Sequence, residues 1–440
     1  MLHGSKITRR KEETFSARRC LRPECSTAHV IDPLNIPLDA MTKNLTRFWL
    51  KNMLRLGKAQ QAQGRKLLKS LTPKPTRAPA ARRAKPVKAL KTALPLKVAR
   101  ATTTKAASSR QKTPAVTDSP VAGLPGRWQK TWFSFPGVGA LAPARRMLYW
   151  LYLPSGAATQ TTRLPLVVML HGCQQTATDF ATSTRMNQLA ERKGFAVLYP
   201  QQSVAGDSHR CWHWYTRATQ QGLGDIPLIA SMIAQVQAKH RLDTSRTYVA
   251  GLSAGAGLAA ILALRYPQMI AAVGLHSAPV YGTSDSPMSG FKAMQQGSSL
   301  AYRESARAFS AEQPQFPGMP VMLVHGKRDL VVRPINVEQL AAQFAMVNAA
   351  FITRAEPVQR RYAARVGGRS PRHGYQTVTY YAGRKPQLVK CDIDSLGHAW
   401  SGGDGGVAFS APEGPDATRL MWDFFSRQQR AQPPLAVTKS

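Results

Sequence analysis

Ser253 lies at the centre of a Gly-x-Ser-x-Gly turn, a pattern that presents a serine hydroxyl for attack on a carbonyl carbon. The apolar segment 247–252 precedes the turn and the small-residue segment 258–266 follows it, which predicts a strand, a sharp turn and a helix. A side chain at Gly251 or Gly255 would collide with the neighbouring strand or helix. This context predicts a nucleophilic serine, which a bare five-residue match would not.

Two downstream loops supply the partners that such a serine needs, a base to take its proton and an acid to orient the base. A strand at 320–324 leads through His325 and Gly326 to Asp329, and a later strand near Val389 leads to His398 in a glycine-flanked loop. The order serine, acid, histidine, with each residue after a strand, is that of the α/β-hydrolase fold. We predict that Asp329 is the triad acid and His398 the base.

The other histidines and carboxylates fit these two roles less well. His171 and His325 stand in His-Gly pairs at strand ends, where we expect structural turns, and His276 comes too early in the chain. The histidines without a strand-end context are His209, His213, His240 and His373. The rival carboxylates are Asp285, Asp392 and Asp394.

The oxyanion hole is expected to use two backbone N–H groups, that of Ala254 and that of Cys173 in the loop after His171-Gly172. A catalytic cysteine is disfavoured because Ser253 already has a full set of partners. A disulfide between Cys173 and Cys211 is conceivable, but we expect two buried thiols. The cysteines are too few and scattered for a disulfide scaffold or a zinc site, and no cofactor or metal is expected: Cys20, Cys25, Cys173, Cys211 and Cys391.

From Arg127 onward, apolar strands alternate with helical stretches, which predicts a mostly parallel central sheet flanked by helices. The predicted strands are 147–153, 165–171, 195–199, 247–252, 271–276, 319–324, 377–381 and 388–393, and the predicted helices include 181–193, 226–240 and 416–427. The arginine-rich segment 359–373 is expected to be an exposed hairpin loop.

The first third of the chain has a different composition. Between Asp39 and Asp118 it carries many lysines and arginines and no acidic residue, which accounts for much of the net charge of +37. Such a segment cannot bury enough apolar surface to offset its ordering entropy, whereas residues 45–56 favour a short basic amphipathic helix. The predicted organisation is a possible upstream extension (1–40), the amphipathic helix (41–72), a disordered basic linker (73–124), a hydrolase domain (125–430) and a flexible tail (431–440).

Taken together, five motifs resemble those of the poly(3-hydroxybutyrate) depolymerase family of esterases over residues 125–428. They are Leu170-His171-Gly172-Cys173-Gln174-Gln175, Arg210-Cys211-Trp212-His213-Trp214, Gly251-Leu252-Ser253-Ala254-Gly255, His325-Gly326-Lys327-Arg328-Asp329 and Gly397-His398-Ala399-Trp400-Ser401-Gly402-Gly403. The resemblance implies a serine esterase acting on esters of short hydroxyacids, with Ser253, Asp329 and His398 as its triad. Feruloyl and acetylxylan esterases of similar fold are the alternative.

Three tryptophans, Trp212, Trp214 and Trp400, are expected near the mouth of the site, where flat rings could hold a polyester chain or pack as a lid. The expected partner is an ester or polyester, with granule or anionic-surface contact through the basic N-terminal region, no specific nucleic acid and no transmembrane segment. A noncatalytic granule- or polyanion-binding protein is the alternative from another class. The family is typically extracellular, but no secretory signal is recognisable, so cytoplasmic and granule-associated locations stay open.

Overall fold

The computed structural model describes residues 123–136, 144–158, 161–353, 356–368 and 371–430. Most of their strands form one sheet of ten strands in the order β1-β2-β4-β3-β5-β6-β7-β10-β9-β8. Its strands are β1 (Arg127–Phe135), β2 (Arg145–Leu153), β3 (Leu166–Leu170), β4 (Ala196–Gln201), β5 (Thr247–Leu252), β6 (Ala272–His276), β7 (Val321–Gly326), β8 (Val358–Tyr362), β9 (Tyr375–Ala382) and β10 (Lys385–Ile393). Two short strands, β11 (Trp400–Ser401) and β12 (Ser410–Ala411), pair separately.

The six central strands, from β4 to β10 in spatial order, pair in parallel, and antiparallel strands extend both edges. The helices of the described residues are α1 (Ala177–Thr184), α2 (Met186–Lys193), α3 (Arg217–Gln220), α4 (Ile226–His240), α5 (Ala254–Arg265), α6 (Pro287–Gln296), α7 (Ala301–Glu312), α8 (Ile335–Val347) and α9 (Ala417–Phe425), with one 3₁₀ turn at Ser155–Ala158.

Two hydrophobic cores lie on the two faces of this sheet. One core joins alternate strand residues such as Val168 and Val249 to α4, α5, α7 and α8. The other joins the intervening residues, such as Val167 and Tyr248, to α1, α2 and α9. Because helices cover both faces, β3, β5, β6 and β7 are buried along their whole length, which explains their continuous apolar sequences.

Two predicted elements differ from the structure. The helix predicted over 181–193 is two helices, α1 and α2, because Arg185 between them adopts a left-handed conformation with φ of 54°. The loop predicted over 359–373 begins as edge strand β8, which pairs antiparallel with β9 and stacks Tyr362 on Tyr375. Its three middle residues, Gln359, Arg360 and Arg361, are all polar and exposed, so no alternation of apolar and polar residues marks the strand in the sequence.

The predicted segments 1–40, 41–72, nearly all of 73–124 and 431–440 lie outside the described residues. In the part of the chain that the structure describes, no helix has the length and hydropathy needed to cross a membrane.

The fold brings the carboxyl ends of β3, β5, β7 and β10 to one edge of the sheet, since these strands run in parallel. The loop after each strand carries one of the motifs found in the sequence. Ligand and catalytic sites of such sheets form at this edge.

Candidate active site

The turn that holds Ser253 has a conformation that few residues adopt without support. Ser253 has φ of 57° and ψ of −120°, and its N–H donates to the carbonyl of His276 at 3.0 Å. A Cβ at Gly251 would lie 2.5 Å from the Gly255 backbone, and one at Gly255 would lie 2.1 Å from the carbonyl oxygen of Leu170. Both glycines are therefore required by backbone approaches, as the sequence predicts.

Asp329 lies buried in the loop after β7 with both carboxylate oxygens engaged. Its Oδ1 accepts from the N–H groups of Val331 and Val332, both at 2.9 Å, and its Oδ2 accepts from His398 Nδ1 at 2.8 Å. Burial alone would raise the pKa of Asp329, but the charge and hydrogen bond of His398 outweigh burial and hold that pKa below its ordinary value. Asp329 is therefore an ionised orienting group in this geometry.

The bond to Asp329 fixes the tautomer of His398. Because Nδ1 donates to the carboxylate, the unprotonated nitrogen of a neutral ring is Nε2, the atom that can act as a base. The loops of the two residues are joined by backbone bonds, from Lys327 N–H to Ile393 O at 2.8 Å and from Arg328 N–H to Leu396 O at 3.0 Å. The acid and the base are thus held as one unit.

The predicted oxyanion loop, residues 171–175 and called the oxyanion loop below, passes directly beside the predicted nucleophile. A Cβ on Gly172 would lie 3.7 Å from the Cβ of Ser253. His171 is fully buried and bridges the loop: its Nδ1 donates to Gly172 O at 2.8 Å, and its Nε2 accepts from Gln202 N–H at 3.1 Å. Among the described residues the N–H groups of Cys173 and Ala254 have no hydrogen-bond acceptor, as an oxyanion hole needs.

The expectation of two thiols at Cys173 and Cys211 is wrong, because the structure joins them in a disulfide. Their Cα atoms lie 4.3 Å apart although the residues are 38 positions apart in sequence. The two loops already meet through the bond from Gln174 N–H to His209 O at 2.6 Å. This approach depends on tertiary structure, so sequence spacing could not establish it. Within the described residues Cys391 is a free, buried thiol.

The tryptophans expected to hold substrate are buried instead. Trp212 and Trp400 have no exposed surface, and their indole N–H groups donate to His171 O and Thr418 Oγ1, each at 3.0 Å. Trp214 is almost as buried and packs against α5, where a Cβ on Gly257 would lie 3.0 Å from its ring. These rings pack inside the protein and support the loops of the site, so packing describes them better than contact with substrate.

Two buried histidines also brace the site: His325, which the sequence assigned to a structural turn, and His276, which was set aside as a base because it comes too early in the chain. His276 accepts the N–H of Ser401 at Nε2, 3.2 Å away, which fixes the chain just after His398, and burial lowers its pKa to about 3. His325 Nε2 donates to Val332 O at 2.8 Å across the Asp329 loop, and burial lowers its pKa as well. The sequence signal for both was their position: His325 follows a predicted strand in a His-Gly pair, and His276 is the last residue of a predicted strand. In the described ranges no cluster of three metal-ligating side chains occurs.

A parallel sheet with a serine at a strand-to-helix turn and a buried aspartate–histidine pair at the same edge defines an α/β-hydrolase. The acetyl xylan esterase from Aspergillus awamori has the same fold, with a TM-score of 0.51 and 21% identity over 67% of this chain and 99% of that one. The sequence model described as Esterase PHB depolymerase matches residues 147–365. Over these residues, about half of its length, the chain matches the PHB depolymerase-like family of esterases.

Curated relatives include both branches that the motifs suggested. The chain is 32% identical to poly(3-hydroxyalkanoate) depolymerase C of Paucimonas lemoignei over 201 residues, which are 44% of this chain and 46% of that protein. It is 29% identical to a probable acetylxylan esterase A of Aspergillus fumigatus over 261 residues, or 53% of this chain and 69% of that protein. The match to the depolymerase thus spans about half of that enzyme's length.

Proposed function

We propose that the protein is a serine carboxylic ester hydrolase for esters of short hydroxyacids, including polyesters such as poly(3-hydroxybutyrate). The observation that carries the proposal is the buried 2.8 Å bond between His398 Nδ1 and Asp329, at the sheet edge where the strained turn presents Ser253. The family match and the depolymerase relative support the reaction class.

In this mechanism His398 Nε2 takes the proton of Ser253 Oγ as that oxygen attacks the ester carbonyl. Asp329 stabilises the imidazolium that forms, and the N–H groups of Cys173 and Ala254 receive the developing oxyanion. The imidazolium returns the proton to the alcohol that leaves, giving an acyl-enzyme. Water, deprotonated by His398, then releases the acid and regenerates the serine.

Hydrolysis of a p-nitrophenyl butyrate and of a 3-hydroxybutyrate oligomer by the wild-type protein, Ser253→Ala and Asp329→Asn tests this proposal. Asp329→Asn removes the charge that orients His398, and we expect kcat to fall by about 10⁴-fold. Ser253→Ala should show no acyl-enzyme turnover. Equal activity in the wild-type protein and Ser253→Ala would refute the proposal.

An esterase acting on acetylated xylan is the second candidate, because the acetylxylan esterase match covers more of this chain than the depolymerase match does. Acetylated xylan and the hydroxybutyrate oligomer, compared at equal ester concentration, separate the two. A higher kcat/KM on acetylxylan would move the substrate assignment to that branch while leaving the triad in place.

We further propose that the basic N-terminal region adds contact with a polymer granule or another anionic surface. Its support is the excess of lysine and arginine over acidic residues in that region. Adsorption of the full chain to anionic granules should weaken as salt rises. Salt-independent adsorption would contradict an electrostatic role, and binding without any hydrolysis would favour a noncatalytic binding protein.

A further inference from the structure

The carboxamide of Gln175 is buried within the oxyanion loop, and its two polar atoms are in different situations. Its Oε1 accepts the N–H of Gly172 at 2.9 Å, whereas its Nε2 has no hydrogen-bond partner among the described residues. The residue is only 2% exposed. The reverse orientation would place the NH₂ group against the Gly172 donor, so Oε1 is the atom that faces Gly172.

Gln175 holds Gly172 from both sides. Besides the bond to Oε1, the backbone N–H of Gln175 donates to Gly172 O at 3.3 Å, and His171 Nδ1 donates to the same oxygen at 2.8 Å. That carbonyl shares a planar trans peptide with the N–H of Cys173, so the two groups point in opposite directions. The two bonds to Gly172 O therefore act directly on the peptide that carries the Cys173 N–H, and the Gln175 carboxamide fixes the other end of Gly172 through the preceding peptide.

The other supports of the loop do not contact the N–H of Gly172. The disulfide acts on the Cys173 side chain, and His209 accepts from the N–H of Gln174, which has a positive φ of 65°. Among these contacts, the Gln175 carboxamide is the one that pairs the N–H of Gly172. An apolar side chain of the same length would leave that buried N–H without an acceptor, free to rotate toward another partner.

We infer that Gln175 is a positioning residue for the oxyanion hole, acting through Gly172 to aim the Cys173 N–H at the developing oxyanion. The inference rests on the proposed function. Since Gln175 acts on the transition-state donor and not on the bound ester, its loss should lower kcat and leave KM nearly unchanged.

The test compares wild-type protein with Gln175→Met, which keeps the length and lacks the acceptor. With p-nitrophenyl butyrate, we expect kcat to fall by about 10- to 100-fold, less than the loss of a whole oxyanion donor, with KM within about twofold. A trifluoromethyl ketone forms a tetrahedral adduct with a serine, so its inhibition constant should weaken by a similar factor. Wild-type kcat and wild-type inhibition in folded Gln175→Met would overturn the inference.

Gln237→Met is the matched control. Gln237 is similarly buried, and its Nε2 donates to Thr247 Oγ1 at 2.6 Å at the start of β5, the end away from the site. This variant should lower Tm and leave kcat and the inhibition constant unchanged. If Gln175→Met changes only Tm in the same way, Gln175 is a structural residue and the inference fails.

Gln175→Glu keeps the acceptor oxygen and gives an independent test if the methionine variant does not fold. Burial should keep its carboxyl neutral near pH 6, and kcat should there recover to within about threefold of the wild-type value. As the pH rises and the carboxyl ionises, kcat should fall relative to wild type, because negative charge then lies beside the oxyanion. A constant ratio across the pH range would overturn the inference. An inactive wild-type protein, or an active Ser253→Ala, would instead refute the proposed function.

Discussion

The two loops that meet at Ser253 are held in different ways. The serine turn is defined by its own glycines, since a Cβ at Gly251 or Gly255 would overlap backbone atoms. The oxyanion loop is held by polar and covalent contacts: the Cys173–Cys211 disulfide, His209 O, Gln202 N–H on His171, and the bond from Gly172 N–H to its own Gln175 side chain. One loop depends on the close packing of backbone atoms around its glycines, and the other depends on hydrogen bonds and a disulfide, so the two should respond differently to substitution, acid and reduction.

Gly255→Ala should have the largest effect, because it forces a side chain into the closest backbone approach of the serine turn. The new Cβ would lie 2.1 Å from Leu170 O at the end of β3 and 2.5 Å from His171 O at the start of the oxyanion loop. We expect the free energy of unfolding to fall by more than about 4 kcal/mol, with loss of esterase activity. Urea unfolding measures this change.

Gly406→Ala is the control for that substitution, since its Cβ would meet only the end of the Asp404 side chain at 3.2 Å. It should stay within about 0.5 kcal/mol of wild type. Equal stability of the two variants would show that the serine turn tolerates a Cβ.

Lowering the pH should destabilise the protein through the oxyanion loop and its neighbours, because the serine turn itself contains no titratable group besides the serine hydroxyl. Burial lowers the pKa of His171 to about 4 and that of His276 to about 3, from an ordinary value of 6.5. The unfolded chain therefore binds more protons than the folded one below pH 6.5, and stability falls as the pH drops toward 4. We expect a loss of roughly 3 kcal/mol between about pH 6.5 and 5, measured by urea unfolding. A flat profile over that range would contradict the buried neutral imidazoles.

How far the sequence predicts the molecule follows the same division. The glycines of the serine turn and the strand ends before Asp329 and His398 are local patterns in the sequence. The structure places His398 Nδ1 2.8 Å from Asp329 Oδ2. The disulfide and the burial of Trp212 and Trp400 depend on loops that approach only in the folded chain. A cysteine pair is equally consistent with two thiols or a disulfide, and a tryptophan with substrate contact or internal packing. The residue types alone therefore could not decide these two cases.

Removing the disulfide should have a smaller effect than the glycine substitution, because hydrogen bonds still join the two loops. We expect Cys173→Ala combined with Cys211→Ala to cost about 2 kcal/mol of unfolding free energy and to lower kcat several-fold. Dithiothreitol should reproduce the loss in the wild-type protein and have no effect on the double variant. Full activity after reduction would show that the loop holds its geometry without the crosslink.

Asp207→Asn should have the smallest effect. Asp207 Oδ1 accepts from the N–H groups of His209 and Cys211, and its Oδ2 accepts from His213 Nε2 at 3.0 Å. Asparagine keeps the first acceptor and loses the ion pair with His213, which is partly exposed. We expect a loss of about 1 kcal/mol and a kcat within about threefold of wild type. A larger fall in kcat would mean that this loop controls the oxyanion donor more strongly than the disulfide does.

The central claim is that Ser253 is a nucleophile activated by His398 and Asp329. Incubation with diethyl p-nitrophenyl phosphate, followed by peptide mass spectrometry, tests it directly. We predict one stoichiometric phosphoryl adduct on Ser253, formed rapidly in the wild-type protein, slowly in Asp329→Asn and not at all in Ser253→Ala. An unmodified Ser253, or an adduct on another residue that tracks the loss of activity, would contradict the account.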